Sequence, residues 1–271
     1  MSSAIHRDGM PESRGRLAVL AAYVSRGDRV ADIGTDHAYL PIQLLRQGIS
    51  RRAILTDIGE GPLARARENI LRAYKNEEID AEDGRIRTAD GEYELRRGDG
   101  LAPVEPGEAD TAIIAGMGGE LIARILGADR DRTNSIGRYV LQPRTKSAEL
   151  RQYLLGGAYR IADEDLAEER GRICEIIIAS PASSALPHYE RNDAAQVGFP
   201  ADVCNVLPEA AQLYRLKKKD HPLLLRFIEG KIRAERQIIE GVMRSDGAQA
   251  KDKAHTAETR IEALTFIQIN T

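Results

Sequence analysis

Aromatic residues are scarce: the 271-residue chain has no tryptophan, three phenylalanines and nine tyrosines. So thin a set excludes the broad stacking platforms on which single-strand binders hold successive bases. Cysteine is rarer still. Cys174 and Cys204 stand at no metal-ligand spacing, so neither a disulfide scaffold nor a cysteine-held metal is expected. Cys174 lies in the apolar run RICEIIIA, where a buried, inert thiol is the expectation. No apolar run approaches the roughly 20 residues of a membrane span, and the opening MSSAIHRDGMPESRGR lacks the apolar core of a secretory signal. A cytoplasmic protein is expected, monomeric or weakly associating, with no membrane partner and no metal.

Excess charge is also missing. With 42% hydrophobic and 30% charged residues and a formal net charge of −3, the chain is ordinary for a globular protein and has no global attraction to nucleic acid. The charge is unevenly spread, however. Residues 211–260 carry 12 Lys and Arg against 7 Asp and Glu, a local +5 that leaves −8 for the remainder. A nucleic-acid partner would therefore have to be drawn by a local patch.

Through the first two thirds, short apolar runs (VADIG, AILTDI, YELRRGDG, TAIIAG, RYVLQP) alternate with helical patterns such as LPIQLLRQG and GPLARARENILRAY. That alternation predicts βαβ units and a mainly parallel sheet. A helix in AELRQYLLGGAY is expected to stop at Gly156 and Gly157, and YRIADEDLAEE and GRICEIIIA to pair as an antiparallel hairpin, giving seven strands. From about Ser180 the text becomes a Pro/Ser-rich connector, SPASSALPHYERND, which separates domain 1–180 from domain 181–271. In the second domain Leu225, Ile228, Ile232, Ile239 and Val242, and then Ala254, Ala257, Ile261, Leu264 and Ile267, follow heptad-like spacing with RSDGAQA between them. They predict a coiled-coil-like helical hairpin.

The stretch VADIGTDHAYLP starts like a nucleotide-binding strand and turn, which would offer backbone N–H groups and a helix N-terminus to a ligand. Only Gly34 keeps the dinucleotide pattern; Asp36 and Ala38 replace its later glycines. Asp32 and Asp36 repel a pyrophosphate and suit a ligand with an ammonium or sulfonium. Asp57, 25 residues after Asp32, ends the next strand, where an acid accepts hydrogen bonds from ribose hydroxyls. Asp99, before Gly100, ends a third strand and could accept the amino hydrogens of adenine. With TAIIAGMGG after the fourth strand, these acids describe a pocket for S-adenosylmethionine in a class I (Rossmann-like) methyltransferase fold.

Each element alone has a plainer reading. Asp32 and Asp57 could cap helices, Asp99-Gly100 could be a turn, and Gly116, Gly118 and Gly119 could serve packing. His37 could orient the donor's carboxylate or cap a helix.

DIGTDHAYLP, TDIGEGPLARARENI, RRGDGL, IIAGMGGELIARIL, LQP and LAEERGRICEIIIA together resemble the bacterial tRNA (adenine-22-N1)-methyltransferase family, TrmK, over roughly Arg14 to Ala179. The resemblance implies methyl transfer from S-adenosylmethionine to N1 of an adenine in the D-arm region of tRNA. It places Arg16, Asp32, Gly34, Asp36, His37, Asp57, Ile58, Asp99, Gly100, Gly116, Met117, Gly118 and Gly119 at the donor. Cys174 departs from the family, whose members often carry tyrosine there. Adenine N1 needs no base to become nucleophilic, so positioning should dominate. Asp36, Tyr39, Gln142 and Pro143 are the candidates on the target side. Tyr39 could stack on an extruded adenine or pack in the core. Lys217, Lys218 and Lys219 could grip tRNA phosphates or simply form a solvated helix face. Two other readings stay open: a methyltransferase for a small molecule or protein, and a non-catalytic RNA-binding protein.

Overall fold

The computed structural model describes residues 15–184, 207, 209–242 and 248–270, without the side chains of Lys218 and Ala248. Cys204, most of the Pro/Ser-rich connector and most of the RSDGAQA turn lie outside the described residues. Two compact units make up the chain, Met1–His188 and Tyr189–Thr271.

In the first unit, α1 (Arg16–Ala22) precedes β1 (Val30–Ile33), α2 (Tyr39–Arg46), β2 (Arg52–Asp57) and α3 (Glu60–Ala73). Then come β3 (Asp80–Glu82), β4 (Arg85–Thr88), β5 (Gly91–Arg97), β6 (Thr111–Gly118), α4 (Gly119–Gly127) and α5 (Arg130–Asn134). The unit closes with β7 (Arg138–Thr145), α6 (Ser147–Leu154), β8 (Tyr159–Glu169) and β9 (Arg172–Pro181). One sheet runs β3-β4-β5-β2-β1-β6-β7-β9-β8. Its five central strands are parallel, and antiparallel pairs finish both edges.

The continuous apolar runs are strands buried on both faces. Along β1, Val30 joins a cluster with Leu20, Leu44 and Ile70 from α1–α3, whereas Ala31 and Ile33 join Ile122, Leu126 and Leu150 from α4 and α6. Side chains one residue apart thus serve opposite helical layers, as strand alternation requires. Strand order reverses at β1: β2 leads out to one edge and β6 to the other. A crevice opens at such a switch point, outside the carboxyl ends of the strands.

The sheet has nine strands, not seven. The additional pair is β3 and β4, joined through Asp83-Gly84 with Gly84 at φ 73. Every residue of β3 is exposed, so the strand carries no apolar signature.

The second unit holds α7 (Ala210–Lys218), α8 (Leu224–Val242) and α9 (Ala248–Ile269). Leu213, Leu216, Leu224, Phe227, Ile228, Ile232, Ala257, Leu264 and Ile267 are buried. The expected seam is corrected at two positions. Leu225 is 49% exposed while its neighbour Leu224 is buried. The gap between Ile232 and Ile239 is filled by a buried carboxylate, Glu235, which pairs with Arg260 at 2.9 Å.

Candidate active site

Register brings the strand ends into line. Ile33 stands beside Thr56 and Ile114, one residue before Asp57 and Ala115; Asp57 faces Arg97, and Ala115 faces Gln142. Thr56, fully buried, ties the neighbouring loops together. Its carbonyl accepts from Gly34 N–H at 2.8 Å and Thr35 N–H at 3.0 Å, and its hydroxyl donates to the Gly100 carbonyl at 3.1 Å. Gly98 N–H donates to the Asp57 carbonyl at 3.0 Å, which fixes the Asp99 turn against the end of β2. The N–H groups at Gly34 and Thr35 are therefore already engaged. This corrects the expectation that the glycine turn itself offers them to a ligand, because a parallel neighbour one strand away captures them.

What the edge does offer is acceptors. Asp57 Oδ1 takes the Gly59 N–H at 2.7 Å; among the described residues, Asp57 Oδ2 and the exposed Asp99 carboxylate have no hydrogen-bond partner. Burial pushes the Asp32 carboxyl up to about 6, against the opposing pull of the Thr35 hydroxyl and the Arg16 guanidinium. The helix-capping readings gain no support: α2 starts from Ala38 and α3 from Gly59, both without a side-chain cap.

The glycines differ in what their missing side chains face. A Cβ on Gly119 would meet the Lys146 carbonyl oxygen at 2.1 Å, so this glycine serves packing. A Cβ on Gly34, at φ 75, would meet Met117 Cε at 2.1 Å; the turn after β1 and the end of β6 touch there. Gly116 has φ 81 and open space where its side chain would be. It is the residue skipped where pairing with β7 jumps from Ala115 to Met117, a bulge near the end of β6.

Tyr39, at the start of α2, is 47% exposed rather than core-packed. Its ring stacks on His37, with centroids 5.3 Å apart at 14°. His37 Nε2 lies 3.2 Å from Asp36 Oδ2, and Asp36 Oδ1 accepts from Arg65 Nη2 at 2.6 Å. Arg65, on α3, was not legible as a site residue; nothing in its spacing marks it as the partner of Asp36.

Arg16 joins α1 to the same edge, donating to Gln142 Oε1 at 3.3 Å and to Glu169 Oε2 at 3.1 Å. Gln142 and Pro143 are both buried, and Gln142 Nε2 donates to the Pro143 carbonyl at 3.0 Å. Among the described residues of this unit, the other exposed large apolar side chains, Ile58 at 67% and Leu121 at 36%, stand after β2 and β6 at this edge. Gly118 pairs with Thr145, closing the row. In the second unit, Lys217 Nζ donates to the Asn270 carbonyl, and Lys219 is exposed. Cys174 is half-buried, and burial raises its thiol pKa.

No group of three or more His, Cys, Asp or Glu is placed to hold a metal ion among the described residues. Among the same residues, no helix is long and apolar enough to cross a membrane.

The Methyltransferase domain family matches this chain over residues 13–177. A tRNA (adenine(22)-N(1))-methyltransferase of Bacillus subtilis (strain 168) is 36% identical over 164 residues, 60% of this chain and 63% of that protein. The sequence match thus spans less than two thirds of that curated relative. The crystal structure of the B. subtilis M1A22 tRNA methyltransferase TrmK superposes with a TM-score of 0.70 at 30% identity, covering 93% of this chain and 97% of that one. The Streptococcus pneumoniae protein Sp1610, solved in complex with S-adenosyl-L-methionine, gives a TM-score of 0.68 at 25% identity over 93% and 98% of the two chains.

Proposed function

The chain belongs to the methyltransferase-domain family and, within it, to the tRNA (adenine(22)-N(1))-methyltransferases (TrmK), and from that premise we propose that it methylates N1 of adenine 22 in tRNA, using S-adenosylmethionine. One observation carries the reading. Asp32, Asp57 and Asp99 stand at successive strand ends around the switch point, beside the open space at Gly116. Residues 1–180 form the catalytic domain in this reading and 181–271 a helical extension, at work in the cytoplasm.

The residues suit the donor. Asp57 Oδ2 accepts from ribose, Asp99 from the adenine amino group, and Ile58 covers the ring with an exposed apolar side chain. Asp32 supplies negative charge near the donor's cationic groups, with Arg16, Gly34, Asp36, His37 and Gly100 framing it. Gly116 leaves room on the methyl side, while Met117, against Gly34, and the closely packed Gly118 and Gly119 fix the wall around it. Bound there, S-adenosylmethionine supplies an electrophilic methyl group.

The N1 lone pair forms the new N–C bond as the S–C bond breaks; the electron pair stays on sulfur and the base becomes a cation. No general base is required, so the protein's task is alignment and tolerance of moving charge. Tyr39, backed by His37, stacks on the extruded base, a role an exposed ring can fill. Asp36, held by Arg65 and His37, fixes the pose of the Tyr39 ring, and Gln142 and Pro143 close the far side. Lys217, Lys218 and Lys219 contribute phosphate contacts from the helical unit.

The experiment is incubation with unmodified tRNA and labelled S-adenosylmethionine, then nuclease digestion and mass spectrometry of the nucleosides. 1-Methyladenosine at position 22, absent from a tRNA with another base there, is the expected result. Donor binding without any methylated nucleoside would overturn the tRNA reading and leave a methyltransferase for another substrate.

A further inference from the structure

Most arginines near the sheet in the first unit sit on carboxylates: Arg29 on Asp110, Arg52 and Arg96 on Glu94, Arg138 on Asp28. Arg144, Arg170 and Arg172 do not. All three are exposed and, among the described residues, their guanidiniums have no ion-pair or hydrogen-bond partner. Topology gathers them. Strand β9 runs antiparallel to β7, so the β8–β9 hairpin turns at the same edge where β7 delivers Gln142, Pro143 and Arg144. Arg16 and Arg144 both pull on the Cys174 thiol, and Arg172, two residues before Cys174, shares its face of β9. Glu169, opposite Arg172 in the hairpin, is occupied by Arg16.

The hairpin tip is fixed and strained. A Cβ on Gly15 would come within 2.6 Å of the Glu168 carbonyl, so the start of α1 is packed tightly against it. Arg170 and Gly171 form a two-residue turn with φ 50 and φ 76. Such turns favour Asn, Asp or Gly first, so Arg170 stands there against its conformational preference.

We propose that Arg144, Arg170 and Arg172 form a phosphate clamp on the catalytic unit that holds the RNA strand beside the target nucleotide. It rests on the tRNA reading above. Planar guanidiniums suit paired phosphate oxygens, and a clamp next to Gln142 holds the strand where the base must leave its stack. Because these residues stand on the sheet edge, the catalytic unit carries its own RNA contacts in addition to those of the helical unit.

The test compares the parent with Arg170→Gly and with the triple variant Arg144→Ala, Arg170→Gly, Arg172→Ala. Affinity for an unmodified tRNA transcript is read by fluorescence anisotropy from about 50 to 200 mM salt. The triple variant should bind at least about tenfold more weakly, with the slope of log affinity against log salt reduced by about 2. Affinity for S-adenosylhomocysteine should be unchanged by calorimetry. Arg170→Gly alone should melt at a higher temperature while binding tRNA less tightly, which separates loss of contact from loss of fold. A parent that binds tRNA and variants with the same affinity and slope would overturn the clamp and leave the tRNA reading intact. Variants that lose S-adenosylhomocysteine binding would overturn it in favour of a structural role. A parent that binds no tRNA would overturn the tRNA reading, and the clamp with it.

Discussion

Asp32 makes the donor site sensitive to pH in a way that can be worked through. Its carboxyl is raised by burial from the ordinary 3.8 to about 6. At pH 5 roughly ten molecules in eleven then carry the proton, and at pH 7 roughly one in eleven does. If the donor's cationic groups require the carboxylate, affinity for S-adenosylmethionine should be about tenfold lower at pH 5 than at pH 7, about 1.4 kcal/mol. Stability runs the other way. The folded pKa lies above the unfolded one, so the folded state keeps a proton that the unfolded chain releases. Stability is lost as pH rises from about 4 through about 6. Asp32→Asn removes that cost, worth at most about 3 kcal/mol at pH 7. The variant should melt at a higher temperature at pH 7, bind S-adenosylmethionine less tightly and show a flat profile between pH 5 and 7. Calorimetric titration in two buffers of different ionisation enthalpy reads affinity and proton release together. A parent whose affinity does not change between pH 5 and 7, or an Asn variant that binds as the parent does, would refute the reasoning.

Two further outcomes are expected. Asp57→Ala should weaken S-adenosylmethionine binding by roughly 1.5–3 kcal/mol, the range for a hydrogen bond to a charged group; unchanged affinity by calorimetry would remove Asp57 from the ribose. The second outcome concerns acid. Burial pushes Glu94 up, but hydrogen bonds from Arg96 and Arg52 outweigh it and hold the carboxyl at about 2; the Arg96 hydrogen bond likewise holds Glu108 at about 2, against burial. Both lie below the ordinary 4.5, so their contribution is full above that pH and is lost as pH falls toward 2. Urea midpoints should fall across this window, and less so in Arg96→Ala; equal acid profiles for the two proteins would refute the assignment.

The parts of this molecule that were legible in its sequence are those that one strand or one helix specifies by itself. AILT and TAIIA read as central strands because burial on both faces demands unbroken apolar residues. Asp32, Asp57 and Asp99 were legible because strand ends in a parallel sheet share one edge. The hairpin at residues 80–88 was not, since β3 is wholly exposed and its only mark was the Asp83-Gly84 dipeptide. Hydrophobic spacing alone was blind in the same way at Glu235, where a charge occupies a buried seam position because Arg260 reaches it from the facing helix. Charge is the deeper difficulty. Read along the chain, Asp36 adds negative charge to the donor loop. In space Arg65 binds it, His37 leans on it, and its consequence is the pose of the Tyr39 ring. Sequence spacing counts charges, whereas function depends on which of them remain unpaired, and only tertiary register decides that. By this criterion the informative residues are Asp57 Oδ2 and Asp99 on the donor side, with Arg144, Arg170 and Arg172 at the neighbouring rim. Their charges are among those the fold leaves without a partner, and both groups stand at the same edge of the sheet.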